Sequence, residues 1–282
     1  MRIVIVGGTS SLAQALIPVL SEFAEVITAG RRGCDIPLDL RAAADGVELP
    51  KGTDIVVNTA ACYGGATPDE MLETEGVNAL GVLKLCRSCT EAGIKHLVQI
   101  SSIFACLGED SPFYSIYALS KRHAEEVARL YSARFGLPLT ILRPSQMYGV
   151  GESSRKHQPF LSSIIDRAAA NEDVLLSGSH EALRNFIHVE DVARIVALAI
   201  QHRIDGTYAC ASVKNVTYAE VAAAAIEAFG STSKIRYVAD ERDVPDNIFE
   251  PDESLYRAIG FYPRISIADG MEKEASYRKS SR

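Results

Sequence analysis

Short apolar runs alternate with helical-period stretches through the first half of this 282-residue chain. Residues 3–6 (Ile-Val-Ile-Val) are apolar without a break, the pattern of a strand buried on both faces. Residues 11–23 place Leu12, Ala15, Leu16, Val19, Leu20 and Phe23 at the spacing of an amphipathic helix. Pro18 lies inside that stretch and has no N–H for the Gln14 carbonyl, so a bend is predicted there. Further strands are predicted at 26–29, 54–58, 96–100 and 139–143, with helices at 76–92 and 115–135. This alternation predicts an α/β chain, with a doubly wound parallel sheet covered by helices on both faces.

The pattern changes after 149–151. Residues 152–184 are polar, with one predicted helix near 158–170. A short apolar run at 186–189 and a helix at 190–202 follow, and 206–210 reads as one more strand of the main sheet. The expected division is therefore 1–150 with 185–212 returning to it, and a smaller C-terminal α/β lobe from 151–184 and 213–282. Neither an internal repeat nor a low-complexity tract interrupts this plan.

Composition narrows the class. Apolar residues make up 47% and charged residues 23%, as in soluble globular proteins. The net charge of -7 gives no support for nucleic-acid binding. No apolar run approaches the roughly 20 residues of a membrane helix. The chain opens directly on a strand, so no secretory leader is expected, and six scattered cysteines read as reduced thiols of a cytoplasmic protein.

Tyr117 and Lys121 carry the first candidate chemistry. They lie one turn apart on one face of a predicted helix. A phenol has a pKa of about 10, and an ammonium beside it favours the phenolate. Such a pair could give a proton to a carbonyl oxygen or take one from an alcohol. Ser101 and Ser102 close a buried-looking strand shortly before the tyrosine.

Val6-Gly7-Gly8-Thr9-Ser10-Ser11-Leu12-Ala13 sits where the first strand meets the first helix, the context of a dinucleotide-binding turn. The helix N-terminus attracts a pyrophosphate, Gly7 permits the tight turn, and small residues at Ser10 and Ala13 allow close approach. An acidic residue after the second strand would select NAD(H) by binding the adenosine ribose. Ala29-Gly30-Arg31-Arg32 stands there instead. Two guanidinium groups suit a phosphate dianion, so NADP(H) is expected in preference to NAD(H). Asp39 could meet the adenine amino group or cap a helix starting near Arg41.

The ordered set Gly7-x-x-Ser10-x-x-Ala13, Asp39-Leu40, Asn58-Thr-Ala-Ala61, Asn78, Ser101-Ser102, Tyr117-x-x-x-Lys121, Arg143-Pro144 and Arg184-Asn-Phe-Ile-His-Val-Glu-Asp191 spans nearly the whole chain. It resembles the extended short-chain dehydrogenase/reductase family, the NAD-dependent epimerase/dehydratase group that acts on nucleotide-sugars. Ser10 and Ala13 stand where that family usually has its second and third glycines. The resemblance implies a Rossmann domain with a substrate-binding lobe. It implies a cofactor held by Gly7, Thr9, Ser10, Ser11, Leu12, Arg31, Arg32, Asp39, Leu40, Ala60, Ala61, Asn78, Tyr117, Lys121 and Pro144. Ser102, Tyr117 and Lys121 would be the catalytic residues. Ser102 would bind the substrate oxygen, with Ser101 as its competitor for that role. Tyr117 would act as general acid in reduction. Lys121 would bind the nicotinamide ribose and depress the tyrosine pKa. Gln146, Arg184 and Arg242 would contact substrate, Arg184 at a diphosphate. His188 reads as a structural histidine. A homodimer through the helices of Asn78 and Tyr117 is expected by analogy.

Within that group, Ile103-Phe104 after Ser102 cannot move protons as a dehydratase's acidic pair does. The arginine pair favours an exchanging NADP(H), as a net reductase needs. The expected reaction is NADPH-dependent reduction of a keto group on a nucleotide-activated deoxysugar of the 4-keto-6-deoxyhexose type. The alternatives are an epimerase with retained NAD(P), a reductase of non-nucleotide carbonyl compounds, and an NADP(H)-sensing protein without turnover. Cys106 and His157 could serve a reductase that also epimerises, or be a core thiol and a surface histidine. Cys86-Arg-Ser-Cys89 falls inside a predicted helix and reads as packing, and no metal is expected.

Overall fold

A computed structural model of the chain describes residues 1–41, 47–178, 181–238, 242–250 and 252–281. In chain order its elements are β1 (Arg2–Val6), α1 (Ser11–Ser21), β2 (Glu25–Gly30), β3 (Ile36–Pro37), β4 (Ile55–Asn58), α2 (Pro68–Glu75), α3 (Gly81–Glu91), β5 (His96–Ile100), α4 (Ile116–Phe135), β6 (Leu139–Pro144) and β7 (Gln146–Tyr148). There follow α5 (Glu152–His157), α6 (Pro159–Ala169), β8 (Val174–Ser177), β9 (Leu183–Arg184), β10 (Phe186–His188), α7 (Val189–Gln201), β11 (Gly206–Cys210), β12 (Val216–Thr217), α8 (Tyr218–Phe229), β13 (Ile235–Val238), α9 (Ser254–Ile259) and α10 (Ile267–Ser280).

The chain divides into two compact units. The first comprises Met1–Pro144, Ala193–Cys210 and Asp252–Phe261. Its sheet has seven strands in the order β11-β6-β5-β4-β1-β2-β3, every neighbouring pair parallel. Ile3, Val4, Ile5, Val56, Val57, Leu97, Val98, Ile141 and Leu142 are buried, which is why these strands read as unbroken apolar runs. The order reverses between β1 and β4, where a doubly wound sheet opens a crevice at the strands' carboxyl ends. This is the Rossmann arrangement expected from the alternation.

The helices start where local chemistry allows. Ser10 is extended at φ -68°, ψ 154° and its side chain accepts from Ala13 N, capping α1. The helix carries Pro18 and ends at Ser21, two residues short of the expected 23. The helix expected at 76–92 begins earlier, at Pro68. Thr67 caps it, Pro68 supplies the first-turn φ, and Asp69 and Glu70 face the positive end of the dipole. A single π-helical turn, Gly76–Leu80, joins α2 to α3 and carries Asn78. Ser115 caps α4, and Gly136, at φ 71°, ends it.

The second unit comprises Ser145–Val192, Ala211–Pro251 and Tyr262–Arg282. Leu161, Ile164, Ile165, Val221, Ala222, Ala225 and Met271 pack α6, α8 and α10 into its core, with Tyr148 and Phe186. The parallel pair β8–β13 lies in this unit. The chain leaves the first unit at Pro144 rather than at 150. Residues 186–188 lie in the second unit because β10 pairs with β7. Residues 252–261 lie in the first, where α9 packs beside β11.

Candidate active site

The turn after β1 is as tight as its residues predict. Gly7 has φ +84°, and a Cβ there would come within 2.7 Å of Ala60 N. Only glycine lets β1 and β4 close together at this point. The N–H of Gly7 bonds Ala29 O at 2.8 Å, tying the turn to β2. At Ser10 the backbone is extended, so no left-handed residue is required where the family usually has glycine. Ser10 Oγ also lies 2.9 Å from Thr59 Oγ1. Ala13 is fully buried, as helix-on-strand packing demands. No acidic residue occupies the first turn of α1. The amides of Ser11 and Leu12 therefore offer an anion site, and the close-packed glycine fits a dinucleotide pyrophosphate. Thr9 is exposed beside them, while the Leu12 side chain belongs to the core.

Arg31 and Arg32 are both exposed directly after β2. Asp39 is engaged by Arg41, whose Nε and Nη2 bond it at 3.0 and 2.7 Å. These bonds hold its carboxyl below the usual carboxylate range. Arg41 also reaches Glu73 at 3.1 Å. The helix-cap reading of Asp39 depends on residues 42–46, which lie outside the described residues. Leu40 is buried, and Ala60 and Ala61 are half-buried at the carboxyl end of β4.

One face of α4 presents Tyr117, Lys121 and Glu125 in successive turns. Ser102 lies beside Tyr117 and draws its phenol pKa down, against the larger upward push of burial. Ser102 also caps the short 3-10 turn Ile103–Cys106, accepting from Phe104 N at 3.2 Å. Ser101 is turned the other way, donating to Glu125 Oε1 at 2.6 Å. Of the two serines, the structure thus places Ser102 at the tyrosine.

Lys121 is buried and its Nζ donates to Ile100 O at 3.0 Å. Burial pulls its pKa down to about 8, against the opposing pull of Glu125. The expectation that Lys121 depresses the Tyr117 pKa is not met. Burial holds that phenol well above 10. The lysine nitrogen sits 5.8 Å from the tyrosine ring centroid and is directed at a backbone carbonyl. Desolvation of the phenolate outweighs an ammonium at that distance.

Two residues of this site were absent from the sequence reading. Glu125 is 1% exposed and accepts from Ser101, from Arg143 Nε at 2.8 Å and Nη2 at 2.5 Å, and from Arg129 at 3.2 Å. Its spacing of four from Lys121 was a usable signal. Tyr63 stacks on Tyr117 with ring centroids 4.7 Å apart and planes at 20°. No local pattern marks Tyr63. Asn78 holds its loop: Nδ2 donates to Cys62 O and to Ser120 Oγ, and Oδ1 accepts from Cys62 N at 2.8 Å. Both amide hydrogens of Asn78 are thus engaged within the protein. Pro144 ends β6, buried.

The second unit holds the expected substrate contacts. Gln146 lies on β7, and its Oε1 is buried without a hydrogen-bond partner. Arg184 is only 2% exposed. Its Nε donates to Tyr218 Oη at 3.0 Å, and its Nη1 to Leu183 O and Pro245 O. These two carbonyls and the Tyr218 ring lie against the Arg184 guanidinium. Arg242 is exposed. His188 is buried and neutral, its pKa lowered to about 4 by desolvation, and its Nδ1 accepts from Glu190 N. Cys106 is exposed at the end of the 3-10 turn of the first unit, and His157 ends α5 of the second. Cys86 and Cys89 are buried on α3, and burial pushes the Cys86 thiol up to about 12. Among the described residues no three His, Cys, Asp or Glu side chains gather as a metal site requires. None of the described helices is long and apolar enough to cross a membrane.

A Rossmann sheet with a glycine turn at its switch point, Ser102 after β5 and a Tyr-Lys pair on α4 defines an extended short-chain dehydrogenase/reductase. The sequence profile of the NAD dependent epimerase/dehydratase family matches residues 3–211, and the chain belongs to that family. It is 28% identical over 205 residues to a dTDP-4-dehydro-6-deoxy-D-allose reductase of Streptomyces bikiniensis, covering 67% of this chain and 63% of that one. The matched stretches cover from 53% to 77% of the length of this and two other curated relatives. The fold superposes on RMD from Pseudomonas aeruginosa complexed with NADPH, at a TM-score of 0.82, 18% identity, and 100% and 99% coverage. It also superposes on a UDP-glucose 4-epimerase of Thermus thermophilus in complex with NAD, at 0.75, 22% identity, and 100% of both chains.

Proposed function

We propose that this protein reduces a keto group on a nucleotide-activated deoxysugar of the 4-keto-6-deoxyhexose type, with NADPH as hydride donor. The observation that carries this reading is the constellation on α4. Tyr117 and Lys121 stand on α4, Ser102 lies beside Tyr117, and Ser102 is followed by no proton-moving residue at Ile103 or Phe104. The bound nicotinamide would supply hydride to the carbonyl carbon. Ser102 would bind the carbonyl oxygen and orient it toward Tyr117. Tyr117 would give its proton to that oxygen as charge develops. The raised pKa suits a group that must be protonated at neutral pH. Lys121, directed at Ile100 O and 5.8 Å from the Tyr117 ring centroid, would hold the nicotinamide ribose.

NADPH is favoured over NADH because Arg31 and Arg32 are exposed directly after β2, where the sequence Ala29-Gly30-Arg31-Arg32 carries no carboxylate. The likeness to a 4-keto-deoxysugar reductase supports the substrate class. Exposed Leu72, Leu80 and Leu130 on the helical face of the first unit support a homodimer. A cytoplasmic setting fits the free thiols.

The test is NADPH oxidation in the presence of dTDP-4-keto-6-deoxyglucose, with native mass spectrometry of the purified protein beside it. Turnover that disappears in Tyr117→Phe, from a protein that carries no stoichiometric nicotinamide, is the expected result. Arg31→Ser/Arg32→Ser should weaken NADPH binding by about 10–100-fold and leave NADH binding nearly unchanged. Stoichiometric NAD(H) that survives purification would favour the epimerase reading instead. Unaltered function in Tyr117→Phe would exclude every catalytic reading.

A further inference from the structure

Arg31 and Arg32 stand on a loop that folds back onto its own strand. Arg31, Arg32 and Gly33 are exposed, and the chain returns through Cys34 and Asp35 into β3. Asp35 Oδ2 accepts from Thr28 N and from Thr28 Oγ1, both at 2.8 Å. The Thr28 hydroxyl in turn accepts from Asp35 N at 3.0 Å. Three bonds between two residues close the loop, and Gly33, at φ +63°, lets the chain reverse inside it.

Both ends of this clamp reach the turn after β1. A Cβ on Gly8 would lie 2.6 Å from Thr28 Cβ and 3.0 Å from Cys34 Sγ, and a Cβ on Gly30 would lie 2.8 Å from that sulfur. The two glycines thus leave room for the thiol between the turn and the end of β2. A Cβ on Gly33 would lie 3.6 Å from Thr9 Cγ2, so the loop tip also borders the turn. Asp35 itself is exposed, and its bonds to Thr28 hold its carboxyl below the usual carboxylate range. By charge alone, a carboxylate on this loop works against a phosphate dianion.

We propose that Asp35 is a positioning residue that clamps the 31–35 loop to Thr28 and thereby sets the selectivity for NADPH over NADH. The inference rests on the NADPH reading of Arg31 and Arg32. Thr28 packs on Gly8, so the clamp fixes the arginine loop against the turn that would take the pyrophosphate. The backbone that carries both guanidinium groups is then set before binding rather than ordered by it. Ordering a loop on binding lowers affinity, and a preorganised loop avoids that loss. NADH has no 2′-phosphate for the arginines and gains nothing from the clamp.

The test is isothermal titration of the whole chain, freed of nucleotide, with NADPH and with NADH. Wild type, Asp35→Ala and Asp35→Asn are compared, and thermal unfolding of each checks that the fold is kept. Asp35→Ala should weaken NADPH binding by about 10-fold and NADH binding by less than about 2-fold. Asp35→Asn keeps an oxygen that can accept from Thr28 and should retain the wild-type preference. The sign of the change separates position from charge. If Asp35 acted by charge alone, both variants would bind NADPH more tightly than the wild type. That result overturns the proposal. So does unchanged selectivity in Asp35→Ala, an equal weakening of both nucleotides, or the same loss of selectivity in Asp35→Asn as in Asp35→Ala. A wild type that prefers NADPH, with Asp35→Ala unaltered, sinks the clamp and leaves the NADPH reading standing. A wild type that binds both nucleotides alike sinks the NADPH reading and the clamp with it.

Discussion

Ser101 donates a 2.6 Å hydrogen bond to Glu125 Oε1, and this bond separates the roles of two neighbouring serines. Ser101 belongs to the support of α4, whereas Ser102 belongs to Tyr117. Ser102→Ala should lower kcat by about 10²–10³-fold, the loss expected for one donor at a developing oxyanion. Its stability should change little. Ser101→Ala should do the reverse, costing about 1–3 kcal/mol because a buried carboxylate loses a donor. Urea denaturation and steady-state kinetics on both variants check the assignment.

Glu125 is 1% exposed on its side chain and Arg143 is 26% exposed. Removing one partner of such a pair leaves a charge without compensation in a poorly solvated place. Glu125→Leu should therefore destabilise the fold by about 3 kcal/mol. Glu125→Leu/Arg143→Leu should recover a large part of that loss. A double-mutant cycle by chemical denaturation measures the difference.

Lys121 gives a pH dependence of defined sign. Its pKa falls from 10.5 to about 8 in the fold, chiefly by burial. The unfolded chain binds the extra proton between those values, so unfolding gains ground as pH falls from 10.5 toward 8. Below about 8 both states are charged and the full cost remains, about 3 kcal/mol. Lys121→Met should be more stable than the wild type at pH 7, and the gap should close as pH rises through 8 to 10.5. Denaturation of both proteins at pH 7 and pH 10 reads the closing gap. An unchanged gap would show that the ammonium is not desolvated.

Gly7 and Gly93 both have left-handed backbones, at φ +84° and +69°, but only Gly7 has backbone within 3 Å of a built Cβ. Gly93→Ala should cost about 1 kcal/mol, the conformational penalty alone. Gly7→Ala should cost more, because β1 and β4 must part, and it should weaken NADPH binding at the α1 N-terminus. Isothermal titration together with thermal unfolding separates the two effects.

The sheet was legible because its strands are buried on both faces, and an uninterrupted run such as Ile3–Val6 can hardly form anything else. Tyr117 and Lys121 were legible because four residues make one helical turn. The start of α2 was missed although Thr67, Pro68, Asp69 and Glu70 form a helix-start signal, since the stretch carries few apolar residues. β8 and β13 were missed because each is four residues long, and they are made by pairing with each other across about 60 positions of chain.

Local sequence determined the doubly wound sheet, the glycine turn, the absence of a carboxylate after β2 and the Tyr-Lys pair. Each depends on residues within a few positions of one another, where backbone geometry alone sets what side chains can share. Only the tertiary structure decided that Ser101 serves Glu125, that Tyr218 and two carbonyls lie against Arg184, and that Tyr63 lies on Tyr117. It also decided the Tyr117 pKa. Helical spacing brings the ammonium near, but the cost of desolvating a phenolate depends on what the whole fold packs around it.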